Sequence, residues 1–165
     1  MIENAHKICD EKPIFQAEFQ ELILEHWQQI QQNRRYPSKK DFRPQNFPKY
    51  LPQLAIVSVE ECGEHFTDRL TGTTVSEVLR LSAGREQLAA PSDENIKDVV
   101  KSMLGQASDN EQPMYFEGKF KPQASQEVGF SALVLPFSFD SKGDELDTLL
   151  LAFNFNQNRP LSALS

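Results

Sequence analysis

Residues 65–81, HFTDRLTGTTVSEVLRL, change their hydrophobic period midway, and this constrains the fold more than any other stretch. Phe66 and Leu70 alternate with polar Thr67, Arg69 and Thr71, the two-residue period of a strand with one covered face. By the same alternation Asp68 shares the face of Phe66 and Leu70. Gly72 and two threonines break the pattern, and either threonine can cap a following helix. Val75, Val78, Leu79 and Leu81 then fit a short helical stripe. A strand that feeds straight into short helices across a sheet can build the wall of a small pocket.

The rest of the chain places this stretch in a longer series. Residues 1–13 are mixed and polar and read as a flexible tail. Pro13 suits the first turn of a helix. Over residues 14–35 the positions Phe15, Phe19, Leu22, Ile23, Trp27 and Ile30 recur at steps of three and four, one stripe on a helix of about five turns. That stripe can pack on its own domain or on a second copy. Prolines at 37, 44, 48 and 52 exclude a long helix over residues 36–53, leaving short turns near Ser38–Asp41 and Asn46–Tyr50. The β-branched run Leu54–Val59, a turn at Glu60–Gly63 and the strand from His65 predict a β-hairpin. Ser92 or Asp93 starts a helix whose stripe, Ile96, Val99, Val100, Met103 and Leu104, carries it to about Ala107. Three strands follow, over residues 113–120, 127–137 and 147–155, with a turn at Asp140–Gly143. Residues 156–165 read as a second tail. Five antiparallel strands with helices between them make an α+β plan, with the main domain over residues 36–155.

The chain has 165 residues, the length of one domain. Its formal net charge of -7 argues against a general nucleic-acid binder, which carries a basic excess. The local exception is Arg34, Arg35, Lys39, Lys40, Arg43 and Lys49, read as a solvated loop, with an acidic-partner dock or cations at a helix C-terminus as the sharper alternatives. With no apolar run long enough for a membrane span and no leader pattern, the expectation is a cytoplasmic protein.

Catalytic and metal-binding signals are sparse. His6, His26 and His65 form no metal spacing with one another or with Cys9 and Cys62. The sequence contains neither a nucleophile elbow nor a phosphate-cradling glycine loop. Asp68 is the sharpest residue. On an inward face its carboxylate must be paired, protonated or ligand-bound. Pairing with a nearby Lys or Arg competes with recognition of a polar or cationic ligand group.

The series helix, two strands, short helices, longer helix, three strands resembles a PAS domain, and more closely the bacterial PAS_5 family, found mainly in alphaproteobacteria. The resemblance runs from about Glu21 to Phe155. Its anchors are Leu24–Trp27 followed by Arg34-Arg35 and Tyr36-Pro37-Ser38; then Asp41, Pro44 and Leu51-Pro52; then Arg69-Leu70-Thr71-Gly72-Thr73; and finally Leu133–Ser138. The chain departs from the family at Asp68, where relatives tend to carry an aromatic ring, and over Ser82–Ala90, which lacks their more regular glycine-containing segment.

The resemblance implies a non-catalytic sensory or interaction module in which a small molecule or partner sits between the sheet and the central helices. It implies a homodimer through the N-terminal helix, with Phe15, Phe19, Leu22, Ile23, Trp27 and Ile30 at the interface. Pocket candidates are Phe66, Asp68, Leu70, Val78, Leu79, Val100, Met103, Tyr115, Phe130 and Leu133. The ligand is unknown. Residues 92–107 offer no His or Cys for the haem route, and Cys62 lies outside the motif the flavin route needs. A chain of this length would act as a free-standing module that touches signalling proteins directly. Two other readings compete: a ligand-free scaffold whose phenylalanines fill the core, and a small enzyme using Asp68, with Tyr115, as an acid–base pair.

Overall fold

The computed structural model describes residues 1–60, 63–81, 88, 91–139 and 143–156. In chain order these form β1 (Ile2–Lys7), α1 (Glu18–Gln31), three 3-10 turns (Lys39–Asp41, Pro44–Asn46 and Pro48–Gln53), β2 (Leu54–Glu60), β3 (His65–Thr71), α2 (Thr73–Val78), α3 (Glu94–Asn110), β4 (Met114–Phe120), β5 (Val128–Phe137) and β6 (Thr148–Asn156). The strands make one antiparallel sheet in the order β1-β4-β5-β6-β2-β3. The expected α+β architecture holds, with six strands in place of five.

The sixth strand comes from residues read as a tail. β1 lies along β4 with Ala5 opposite Phe116 and Lys7 opposite Met114. Its sequence alternates weakly because it covers an edge and buries little. Backbone pairing holds it there, and pairing leaves no mark on side-chain periodicity. α1 starts later than expected. Ile14 is 93% exposed, and Ala17 is still extended.

Both sheet faces are covered, so the strands alternate between two apolar cores. On one face Phe116, Phe130 and Leu151 meet α3 through Val100, Met103 and Leu104. On the other, Tyr115, Leu133 and Leu150 meet α1 through Phe19, Ile23 and Trp27. This explains why β5 is almost continuously apolar: each successive side chain enters a different core. Pro136 stands in β5 beyond the β4 register, which ends at Met114 opposite Val134. Its carbonyl accepts the indole N–H of Trp27 at 2.8 Å.

The helix ends follow local chemistry. Asp93 caps α3, its carboxylate accepting the amides of Asn95 at 2.9 Å and Ile96 at 3.2 Å. The helix continues through Ser108-Asp109-Asn110, three residues past the expected end, and closes at Glu111 in the left-handed conformation. α2 is capped by Gly72 rather than by a threonine. The short turns after α1 fall where the prolines placed them, and Ser38 Oγ accepts the amide of Lys40 at 3.2 Å. Most of the expected turns at Glu60–Gly63 and Asp140–Gly143, the connector Ser82–Ala90 apart from Leu88, and the tail beyond Asn156 lie outside the described residues. Among the described residues no helix is long and apolar enough to cross a membrane.

Candidate functional site

The sheet divides the ten pocket candidates. Val100, Met103 and Phe130 are at most 1% exposed within the α3 core, with Leu79 beside them and Phe66 and Val78 packed at its border. Tyr115 and Leu133 lie on the α1 face. Leu70 is 41% exposed. One pocket therefore cannot contain them all.

The placement of Leu70 has a specific cause. β2 and β3 shift register between Ile56, opposite Leu70, and Val57, opposite Asp68. One extra β3 residue, Arg69, occupies the step, and a single-residue slip turns the following side chain to the other face. The alternation that grouped Asp68 with Leu70 fails at this bulge. Arg69 Nε donates to Ser58 Oγ at 2.7 Å.

Asp68 stays on the α3 face and is half-buried. Its Oδ2 accepts the backbone N–H of Leu88 at 2.6 Å and the hydroxyl of Thr71 at 3.0 Å. Leu88 is fully buried in the α3 core. The carboxylate thus tethers the α2–α3 connection to the sheet. Asp68 and Tyr115 stand on opposite sheet faces, which removes them as an acid–base pair.

Tyr115 belongs to a polar network beneath α1. Gln20, fully buried, donates its amide to Ala152 O at 3.0 Å and to Ser131 Oγ at 3.1 Å. Its Oε1 accepts Tyr115 Oη at 3.4 Å and the amide of Ala17 at 3.3 Å. Tyr115 Oη in turn accepts the Gln16 amide at 2.8 Å. Burial raises the Tyr115 pKa, partly offset by Ser131 and the Gln16 amide. Sequence analysis passed over Gln20, although it sits three, four and seven residues before Ile23, Leu24 and Trp27, a core position on the same stripe.

The α1 stripe packs on its own domain. Phe19, Ile23 and Trp27 are at most 4% exposed against the sheet, so they cannot form a dimer interface. Phe15 meets the Tyr115 ring edge-on at 5.0 Å, and Ile30 packs at the border. Leu22, 42% exposed, is the member of the stripe left outside. The basic run after α1 is engaged locally. Arg34 reaches the carbonyls of Ile30 at 2.6 Å and Gln31 at 3.3 Å, and Asp41 at 2.9 Å, so a cation does stand at that helix C-terminus.

Three cavities are described, and Phe130 is the one pocket candidate that lines any of them. A polar cavity of about 410 Å³ lies by β1, β4 and Phe130. The largest, about 540 Å³, is walled by Trp27, Leu24, Ile8 and Pro113 near the end of α1. The third, about 410 Å³, lies between the end of α3 and the start of β6. The last two share Arg35, Tyr36 and Glu111. Arg35 and Glu111 pair at 2.7 Å, and the Arg35 guanidinium stands 5.2 Å from the Tyr36 ring centroid. Tyr36 is 1% exposed, and its hydroxyl makes no hydrogen bond among the described residues. Burial pushes its pKa up and the Glu111 charge adds to this, while Arg35 opposes both. Among the described residues no group of three potential metal ligands is assembled.

The family anchors meet in space. Ser38 bridges Ser138 in parallel, with the Ser138 amide donating to Pro37 O at 3.0 Å and the Lys39 amide to Ser138 O at 2.8 Å. Thus Tyr36-Pro37-Ser38 lies beside the end of Leu133–Ser138. The same sheet order, central helices and anchors are found in a known family: the PAS domain model PAS_5 matches residues 16–150. The chain belongs to this PAS domain family, a class of sensory, signalling and interaction modules. Neither the curated proteins nor the solved structures compared with it gave a match.

Proposed function

We propose that this PAS chain is a non-catalytic module that signals by binding, contacting protein partners with its outer surface and a small ligand at a cleft outside the sheet–α3 layer. The observation that carries this reading is the burial of Val100, Met103 and Phe130 to 1% or less, because side chains of the chain itself occupy that layer. A filled layer favours the interaction scaffold over a ligand enclosed beneath α3, and the cavities beside Tyr36 supply volumes in the range of small-molecule sites. The setting we propose is cytoplasmic. A homodimer, expected from the family, would use exposed Ile14 and Leu22 rather than the buried stripe.

Val100→Phe tests the filled layer. In a packed core the larger side chain destabilises by about 1–3 kcal/mol, lowering the melting temperature. A tolerated or stabilising Val100→Phe would mean an open chamber beneath α3 and overturn the reading. Native mass spectrometry of freshly purified protein reports bound ligand and oligomeric state together.

A further inference from the structure

We propose that the cavity between the C-terminal end of α3 and the start of β6 is a binding site for a small organic cation, an ammonium or guanidinium, whose place Arg35 holds in the unliganded chain. The proposal rests on the reading of the chain as a ligand-binding module and gives that ligand a chemistry and a location.

Charge comes first. Among the described lining residues Glu111, Asp144, Glu145 and Asp147 stand against one cation, Arg35. Asp147 is committed to the hairpin, accepting the Phe139 amide at 3.0 Å and the Thr148 hydroxyl at 3.0 Å. The other three carboxylates define the cavity's sign. α3 adds to it, since its last turn carries no basic residue and its C-terminal carbonyls leave partial negative charge there.

An acidic rim is ordinarily only a solvated surface. Tyr36 sets this one apart. Its side chain is 1% exposed and lines the cavity, and its buried hydroxyl makes no hydrogen bond among the described residues. An unmade hydrogen bond on a buried hydroxyl is costly, and an N–H donor entering the cavity would satisfy it. The chain already holds a cation in this position. The Arg35 guanidinium lies over the Tyr36 ring at 5.2 Å and on Glu111 at 2.7 Å. Both partners of that ion pair are largely solvent-exposed, so it is weak and displaceable. With no three-ligand metal set among the described residues, an organic cation fits the donors better than a metal ion.

The test is a titration of the full chain with agmatine, which carries one guanidinium and one ammonium, followed by calorimetry and by amide chemical shifts. The expected result is saturable one-to-one binding with shifts centred on Ser108, Glu111 and Leu146. Affinity should fall about fivefold or more in Glu111→Gln and in Tyr36→Phe, and rise about fivefold in Arg35→Ala, where the internal competitor is gone. Because Arg35 and Glu111 are exposed, these variants fold, and a thermal melt checks it. An affinity unmoved by Glu111→Gln, or no saturation at millimolar agmatine in either the parent or Arg35→Ala, identifies a solvated acidic rim and overturns the proposal. Either failure leaves the Val100→Phe result untouched, so the two readings fail separately.

Discussion

The backbone of Gly72 lies so close to Pro52 that a β-carbon on Gly72 would stand 2.3 Å from the Pro52 carbonyl oxygen. The Gly72 amide also donates to Leu54 O at 2.8 Å. Two sequence anchors some twenty positions apart are thus one contact, through which the last 3-10 turn seats the start of α2. Gly72→Ala should destabilise the fold by about 1–3 kcal/mol, because the colliding atom is backbone and cannot rotate away. An unchanged denaturation midpoint would show that the turn can yield.

A second prediction concerns Asp68. Removing its carboxylate in Asp68→Ala leaves the Leu88 amide without its 2.6 Å acceptor and should cost about 1.5–3 kcal/mol, the range for a hydrogen bond to a charged group. Asp68→Asn keeps an acceptor and should cost less. The local readout is hydrogen exchange at the Leu88 amide, which should accelerate in Asp68→Ala. Unaltered protection there would refute the tether.

Trp27 separates self-packing from dimerisation. Buried to 4% exposure and bonded to Pro136 O, it should cost about 3–5 kcal/mol when changed to alanine. The expected outcome is a large fall in melting temperature at any protein concentration. A stable, folded Trp27→Ala whose only change is loss of a dimer by light scattering would contradict the packing described for α1.

Acid should act through His26. Its ring lies edge-on to Phe42 at 5.6 Å and Phe47 at 5.4 Å, and its Nε2 is buried without a hydrogen bond among the described residues. Burial lowers its pKa. The unfolded chain takes up a proton near the ordinary histidine value of about 6.5, before the folded chain does. Stability is therefore full above that pH and declines as pH falls towards the folded pKa. Denaturant midpoints from pH 7 downward should show this decline, and His26→Gln should flatten it. A parallel decline in both proteins would assign it to other groups.

Periodicity made much of the fold legible. The α3 stripe Ile96, Val99, Val100, Met103 and Leu104 is buried as its spacing predicted, and the prolines put the short turns in their places. Side-chain pattern records which face of an element meets apolar surroundings, and for long helices that is sufficient. The candidate site was less legible. Its residues were grouped as if the sheet had one covered face, whereas Tyr115 and Leu133 enter the core opposite to Val100 and Met103.

What the sequence determined by itself was the order and kind of the elements and the family, because propensity, capping and hydrophobic period are local properties of the chain. Tertiary structure alone decided three things. β1 exists because β4 offers an edge to pair with; Leu70 leaves the face of Asp68 because Arg69 adds a residue to the register; and Arg35, Tyr36 and Glu111 meet because the ends of α1 and α3 converge. Each depends on backbone pairing or on contact between residues distant in sequence. Such contacts are fixed only when the layers pack, and they leave no period for a sequence to carry.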